Sequence, residues 1–134
     1  PAPIIPAVAE AAQTAATALA EAVNLVGLLA VEFFIATDGR LLFNEMAPRP
    51  HNSFHWTIEG SATSQFTQLA RVLAGLGFGD TTAYGRWQMD NLLGQDMDRV
   101  PELLAQAGTH LHLYGKPEAR QDRKMGHVTS RLGD

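Results

Sequence analysis

The 134-residue sequence contains no cysteine, which excludes disulfide bonds and thiolate metal sites. It also lacks an apolar run long enough to cross a bilayer, and its alanine-rich start has no basic flank of the signal-peptide kind, so no membrane association is predicted. Charged residues make up only 18%, and a net charge of −4 gives no general attraction for nucleic acid. This composition suits the cytoplasm, which is the localisation we expect.

The sequence has enough apolar residues for a real core, since 46% of it is hydrophobic. Its length fits one ordinary domain or a piece of a larger one. The first residue is proline rather than methionine, and the chain stops directly after a strand-like run. We therefore expect a fragment that lacks an amino-terminal part of its own chain.

The stretch VEFFIATDGRLLFNEMAPRPHN, residues 31–52, predicts a β-hairpin. Asp-Gly at 38–39 is typical of a two-residue loop, because such turns need a positive φ at both central positions. With that loop, Glu32 lies directly opposite Glu45 on the neighbouring strand. Two opposed carboxylates repel each other, so either the turn differs from this one or a cationic group lies between them.

Two interpretations of the glutamate pair follow. At a partly exposed hairpin edge, water would solvate both carboxylates. The apolar neighbours Phe33 and Phe43 oppose that solvation and favour a hard divalent cation that both carboxylates bind. Magnesium binds few carboxylates and leaves its other positions to water and substrate phosphates, so the pattern points to a nucleotide.

Two further segments carry groups that could bind an anion. Arg49, His51 and Asn52 lie on a loop stiffened by two prolines. Arg49 is either a surface counter-ion for the glutamates or a clamp for a planar carboxylate, bicarbonate or phosphate. The basic turn at 114–127 contains Lys116 and Arg123. Taken alone, such a turn is more commonly a solvated loop. Three further histidines, His55, His110 and His112, are interpreted as packing or surface residues.

The remaining pattern is a mixture of helices and strands, and it predicts an α+β fold. A domain boundary near residue 80 would separate 1–80, with the hairpin, from a small β-rich module at 81–134. Apolar spacing and turn residues predict the elements: helices 6–24, 62–76 and 98–107, strands 28–36, 40–46, 86–94, 109–116 and 123–130, and an ordered loop 47–56.

Several motifs taken together resemble one enzyme family. They are GLLAVEFF, DGRLLFNEMAPRPHNSFHWT, TSQF, NLLG and LHLYGK followed by EAR and RKMGHVT. Together they resemble the sequences of the N5-carboxyaminoimidazole ribonucleotide synthetases, which are ATP-grasp ligases of purine biosynthesis. The resemblance extends over about residues 22–130. The resemblance implies that 1–80 is the carboxy-terminal half of an ATP-grasp domain. Two departures stand out: Phe54 replaces a usual glycine, and Gln121-Asp122 replaces a Pro-Gly turn.

The resemblance implies a reaction and roles for the site residues. ATP and bicarbonate would form carboxyphosphate, whose carboxyl group or CO2 is captured by 5-aminoimidazole ribonucleotide. It further implies a homodimeric full-length enzyme and an inactive isolated fragment. By this resemblance, Glu32 and Glu45 would bind Mg2+ and ATP. Arg49, His51 and Asn52 would bind bicarbonate and the aminoimidazole. Lys116 and Arg123 would bind the ribonucleotide phosphate or carboxyphosphate.

Two alternatives remain open. A formate-dependent glycinamide ribonucleotide transformylase is a sister ATP-grasp enzyme with a similar PRPH loop; Asn52 and the downstream YGK and RKMGH motifs favour the carboxylating enzyme instead. A non-catalytic binding or assembly module of the same fold is the second alternative, and its support is Phe54 together with the missing half of the ATP-grasp fold.

Overall fold

The computed structural model describes residues 4–133 and has the predicted α+β fold, with helices and two antiparallel sheets. Two short 3-10 helices, Asn52–Phe54 and Gly94–Arg99, complete the regular structure. The other elements, in chain order, are α1 (Pro6–Ala22), β1 (Ala30–Ile35), β2 (Leu41–Ala47), α2 (Thr57–Gly60), α3 (Gln65–Leu73), β3 (Arg86–Leu93), α4 (Val100–Leu104), β4 (Thr109–Leu113) and β5 (Lys124–Leu132).

The chain forms two compact units. One contains the described residues through His51 together with Phe66–Phe78, and the other contains Asn52–Gln65 and the described residues from Gly79 onward. The predicted domain boundary near residue 80 stays a prediction. Among residues 4–133, no helix is long and apolar enough to span a membrane.

The first helix ends earlier than the sequence indicated. The predicted helix runs to residue 24, but α1 ends at Ala22 and Asn24 adopts the left-handed conformation with φ of 47°. Leu25 N–H donates to the Ala20 carbonyl at 2.9 Å, and Asn24 N–H donates to Glu21 at 3.0 Å. These two bonds form a Schellman motif, in which asparagine can replace glycine.

The hairpin confirms the predicted pairing of Glu32 with Glu45, although its loop differs from the prediction. Ala36 N–H donates to the Arg40 carbonyl at 2.9 Å, so three residues rather than two form the loop. Gly39 takes the positive φ, 84°, that such a loop requires. A β-bulge next to Glu32 then shifts the register by one residue and restores the glutamate pair.

The apolar faces of the first unit are less buried than the pattern predicted. On β1 and β2, Phe34 and Phe43 are 59% and 55% exposed, so the apolar character of these strands does not lead to burial at either position. On α3, the apolar residues Phe66 and Leu73 are exposed, and Gln68 is the buried one. Periodicity identified these faces correctly as apolar, but it cannot show whether the chain itself supplies their cover.

The second unit is built on a three-stranded antiparallel sheet in the order β3–β5–β4. One face carries a small apolar core in which Leu92, Val128 and Leu111 pack with Leu103 of α4. Leu104, the residue after Leu103, is 64% exposed, because α4 is a short helix that turns one side to the sheet. The other sheet face, here called the polar face, carries His110, His112 and His127, with Trp87 against His110.

Candidate functional site

The bulge on β2 gathers polar side chains at one point of the hairpin. Asn44 is the extra residue between Phe43 and Glu45, opposite the Glu32–Phe33 step. Its Nδ2 donates to Glu32 Oε2 at 3.2 Å. A bulge re-aims a side chain in this way because two residues oppose one on the partner strand. The amide donor satisfies one oxygen of Glu32. Because the amide is uncharged, another group must offset the repulsion between the two glutamates.

His51 is the group that meets both glutamates. Its Nε2 lies 3.5 Å from Glu32 Oε1 and 3.6 Å from Glu45 Oε1. The histidine is buried, whereas the glutamate side chains remain 43% and 57% exposed. Sequence reasoning expected a cationic group between the carboxylates but grouped His51 with Arg49 and Asn52. No local pattern indicates this contact, since it depends on how the loop after β2 returns to the hairpin.

The three side chains also fit a divalent cation. Ligand atoms of Glu32, Glu45 and His51 all lie within 4.8 Å of one another. Two carboxylates supply the hard oxygen donors that Mg2+ prefers, and their exposure leaves room for water and phosphate oxygens to complete an octahedral shell. The buried His51 offers its Nε2 in the same cluster, either as a third ligand atom or as a close neighbour of both carboxylates.

Arg49 and Asn52 lie on the loop that follows β2. Arg49 is exposed, and its Nη1 donates to the Pro50 carbonyl at 3.0 Å. Among the ion pairs of residues 4–133, the glutamates pair with His51 and not with Arg49. Asn52 belongs to the second unit and begins its first 3-10 helix, where its carbonyl accepts from His55 N–H. The exposed guanidinium is therefore available for an anion.

The basic turn joins β4 to β5 in the second unit. Lys116 Nζ donates to the Lys124 carbonyl at 2.6 Å and lies 5.8 Å from the Tyr114 ring centroid. Arg123 Nη1 donates to the Glu118 carbonyl at 3.2 Å. The lysine ammonium has three donors and the guanidinium five, so each keeps donors for an anion.

The polar face of the second unit holds a stack of three imidazoles that sequence reasoning missed. The His127 ring centroid lies 4.6 Å from that of His112 and 4.8 Å from that of His55. Tyr114 Oη lies 2.9 Å from His127 Nδ1, and His112 Nε2 lies 2.6 Å from Glu59 Oε1. The sequence does show the alternation of His110 and His112 on β4. Their neighbour on β5, His127, can be identified only once the strand order is known.

Burial and its neighbours keep His127 neutral. The side chain is almost fully buried, and desolvation, with smaller contributions from His112 and His55, lowers its pKa from 6.5 to about 4. Burial also raises the pKa of the Tyr114 phenol, so its hydroxyl keeps its proton and can donate to the imidazole. The bond thus joins two uncharged groups at neutral pH.

Comparisons with known proteins match both parts of the chain. Residues 1–66 match the ATP-grasp domain, and residues 88–132 match the phosphoribosylaminoimidazole carboxylase C-terminal domain. The N5-carboxyaminoimidazole ribonucleotide synthase of Brucella melitensis is 52% identical over 129 residues, which cover 96% of this chain and 36% of that protein. The chain belongs to the N5-carboxyaminoimidazole ribonucleotide synthase family.

Solved structures of the synthase family share the fold. An ADP complex of an N5-carboxyaminoimidazole ribonucleotide synthetase is 41% identical with a TM-score of 0.91, over all of this chain and 36% of that one. The Aspergillus clavatus synthase, described in complex with ADP and 5-aminoimidazole ribonucleotide, is 30% identical with a TM-score of 0.87, over 98% of this chain and 37% of that one. The chain spans about a third of the length of the relatives it matches.

The glycine that Phe54 replaces is not required for this loop. Phe54 ends the first 3-10 helix, and its φ is not positive. Its side chain is 46% exposed, and its carbonyl accepts from Thr57 Oγ1 at 2.6 Å. An L-residue can adopt this backbone without strain, which removes the support that Phe54 gave to a non-catalytic module of the synthase family.

Proposed function

We propose that the protein carrying this chain is an ATP-dependent carbon–nitrogen ligase that carboxylates 5-aminoimidazole ribonucleotide. The γ-phosphoryl group of ATP passes to a bicarbonate oxygen, which gives ADP and carboxyphosphate. The substrate amine then attacks the carboxyl carbon, or the CO2 released from it; a nitrogen–carbon bond forms, phosphate leaves and the amine loses a proton. The product is N5-carboxyaminoimidazole ribonucleotide, an intermediate of purine biosynthesis.

The observation that carries this proposal is the meeting of Glu32, Glu45 and His51 on one hairpin. Both carboxylates face the same imidazole nitrogen at about the same distance. In the proposed enzyme, Glu32 and Glu45 hold the Mg2+ of ATP. The bound ion neutralises charge on the transferring phosphoryl group. His51 contacts both carboxylates and fixes their orientation, and Asn44 fixes a second oxygen of Glu32.

A second group of residues is proposed to bind the anionic substrates. We assign Arg49, His51 and Asn52 to bicarbonate and the aminoimidazole, because a guanidinium matches a planar carboxylate in two hydrogen bonds. We assign Lys116 and Arg123 to the substrate phosphate or carboxyphosphate, and both retain unused donors. Preorganised cations of this kind stabilise the charge that develops in the transition state. The relative with bound 5-aminoimidazole ribonucleotide supports the substrate class.

The proposal also covers what lies outside this chain. Since the relatives are about three times as long, we infer that the groups enclosing the ATP base and outer phosphates come from the remaining sequence, and that the isolated chain is inactive. The complete enzyme is proposed to be a cytoplasmic homodimer. Its partners are then the small-molecule substrates and a second copy of itself.

The test is ATP turnover by the full-length protein with two substrate pairs: bicarbonate with 5-aminoimidazole ribonucleotide, and formate with glycinamide ribonucleotide. ADP release should require bicarbonate and the ribonucleotide, whereas formate with glycinamide ribonucleotide should not replace them. Formate-dependent turnover would favour the transformylase alternative. Absence of turnover with either pair, in protein shown to be folded and to bind Mg2+, would favour the non-catalytic module.

A further inference from the structure

The turn before β5 has an unusual backbone at Asp122. Its φ is 60°, in the left-handed region, and Asn24 is the other non-glycine residue with positive φ among residues 4–133. Aspartate tolerates this region better than most residues, but still less well than glycine. A conformation of this kind persists when surrounding contacts hold it. The Pro-Gly turn expected from the family pattern is thus replaced by an aspartate in a glycine-like conformation.

Gln95 supplies the contact that holds Asp122. Gln95 Nε2 donates to Asp122 Oδ1 at 3.1 Å, and Asp122 N–H donates to Gln95 Oε1 at 2.9 Å. One amide side chain therefore bonds both the side chain and the backbone of the same residue. The two residues are 27 positions apart in the sequence, so this reciprocal pair, here called the Gln95–Asp122 clamp, is a tertiary contact.

The residue before Gln95 brings the turn against the end of β3. A Cβ atom built on Gly94 would collide with the backbone of Arg120. Backbone therefore packs directly on backbone at this point, which only glycine permits. The Gly94 contact and the Gln95–Asp122 clamp fix the turn at two adjacent places.

Arg123 depends directly on the shape of this turn. Its N–H donates to the Arg120 carbonyl at 3.1 Å, and its Nη1 donates to the Glu118 carbonyl at 3.2 Å. Both bonds end on residues of the same turn, so a change in the turn would reorient the guanidinium. Asp122, directly before it, places its carboxylate on Gln95 rather than in an ion pair with Arg123.

We propose that Gln95 and Asp122 are positioning residues that hold the Arg123 guanidinium in place before the phosphorylated substrate binds. This inference rests on the proposed role of Arg123 in binding the substrate phosphate. The clamp replaces the stiffness of a Pro-Gly turn by two hydrogen bonds. It also occupies the Asp122 carboxylate, which would otherwise compete with the substrate phosphate for the arginine.

The test uses Gln95→Ala, Asp122→Ala and Asp122→Asn in the full-length protein. Gln88→Ala is the matched control, because Gln88 Nε2 donates to Asp90 Oδ2 at 2.9 Å on β3, an exposed pair of the same chemistry away from the turn. Loss of the clamp should raise KM for 5-aminoimidazole ribonucleotide about fivefold or more and leave kcat within about twofold, as expected for lost preorganisation in binding. Asp122→Asn and Gln88→Ala should stay within about twofold of the wild type.

The asparagine variant separates positioning from charge. Asparagine keeps the acceptor oxygen and tolerates a positive φ, so it should rescue KM where alanine does not. Equal effects of Asp122→Asn and Asp122→Ala, or unchanged KM in Gln95→Ala, would overturn the proposal. A loss of kcat larger than the rise in KM would also contradict it.

Hydrogen exchange of the segment 115–124 gives a readout that does not need turnover. In Gln95→Ala, the Asp122 and Arg123 amides should exchange faster than in the wild type, and Gln88→Ala should change neither. Unchanged exchange in Gln95→Ala refutes the clamp whatever the enzyme's activity. If exchange rises while the wild type shows no turnover with the ribonucleotide, the proposed function fails and the clamp stands only as a structural contact, which overturns its positioning role.

Discussion

The imidazole stack predicts how the stability of the second unit depends on pH. His127 is packed between His112 and His55, bonds Tyr114, and lies opposite Asn91 on β3, while Glu59 of α2 pairs with His112. The unfolded chain takes up a proton at His127 near pH 6.5, but the folded chain does so only near its lowered pKa of about 4. Between these values the unfolded state binds more protons, so stability falls as the pH falls.

The size of the effect follows from the lowered pKa. One pKa unit corresponds to about 1.36 kcal/mol. Lowering the pKa of His127 from 6.5 to about 4 therefore reduces the free energy of unfolding by about 3 kcal/mol once the pH is below both values. Most of this change lies below pH 6.5, and about 2 kcal/mol should be lost between pH 7 and pH 5. Other titrating groups add to the slope, and a variant that lacks His127 isolates its share.

The assay is urea unfolding at several pH values, followed by tryptophan fluorescence. Trp56 and Trp87 both lie in the second unit, so the signal reports the part that contains the stack. In His127→Asn, the free energy of unfolding should fall by about 2 kcal/mol less between pH 7 and pH 5 than in the wild type, even if the variant is less stable at pH 7. His110→Asn removes an exposed histidine of β4 and serves as the control. Equal slopes in the wild type and His127→Asn would refute the reasoning.

Three further predictions concern the full-length protein. Glu45→Gln removes a carboxylate charge but little volume, so ATP turnover should fall about 100-fold or more while the urea midpoint is kept; unchanged turnover at saturating Mg2+ would refute the metal role. Gly94→Ala should cost about 2 kcal/mol or more by urea unfolding, because its Cβ meets the Arg120 backbone, whereas Gly77→Ala, in open space, should change stability little. Arg49→Ala and Lys116→Ala should each lower kcat/KM about tenfold or more, since each is proposed to bind an anionic group; an unchanged kcat/KM in either variant would refute that residue's assignment.

The hairpin shows both the reach and the limit of sequence reasoning. Alternation and Asp-Gly located the strands and the pair of Glu32 and Glu45, which the structure confirms. The correct pairing nevertheless came from two compensating errors: the loop has three residues, and Asn44 adds a bulge that cancels the shift. Bulges depend on tertiary packing as well as on local propensity, and the sequence gives no direct signal of this one.

The exposed faces of α3 and the hairpin have a different cause. Periodicity identifies an apolar face correctly, but burial depends on what covers that face, and residues such as Phe34 and Leu73 remain exposed in the described chain. Long-range polar contacts were also beyond the pattern. Gln95 and Asp122 are 27 residues apart, and His51 reaches the glutamates only through the return of a loop. The strand order that brings His112 beside His127 likewise had to be seen in the fold.

The most direct test of the central claim follows the carbon of bicarbonate. The full-length protein is incubated with Mg-ATP, 5-aminoimidazole ribonucleotide and 13C-bicarbonate, and the product is observed at once by 13C NMR. The proposal predicts a 13C-labelled carbamate carbon on the substrate amine, formed in a one-to-one ratio with ADP and lost in Glu45→Gln. Stoichiometric ADP formation without label on the amine, or labelling that Glu45→Gln leaves intact, would contradict the account.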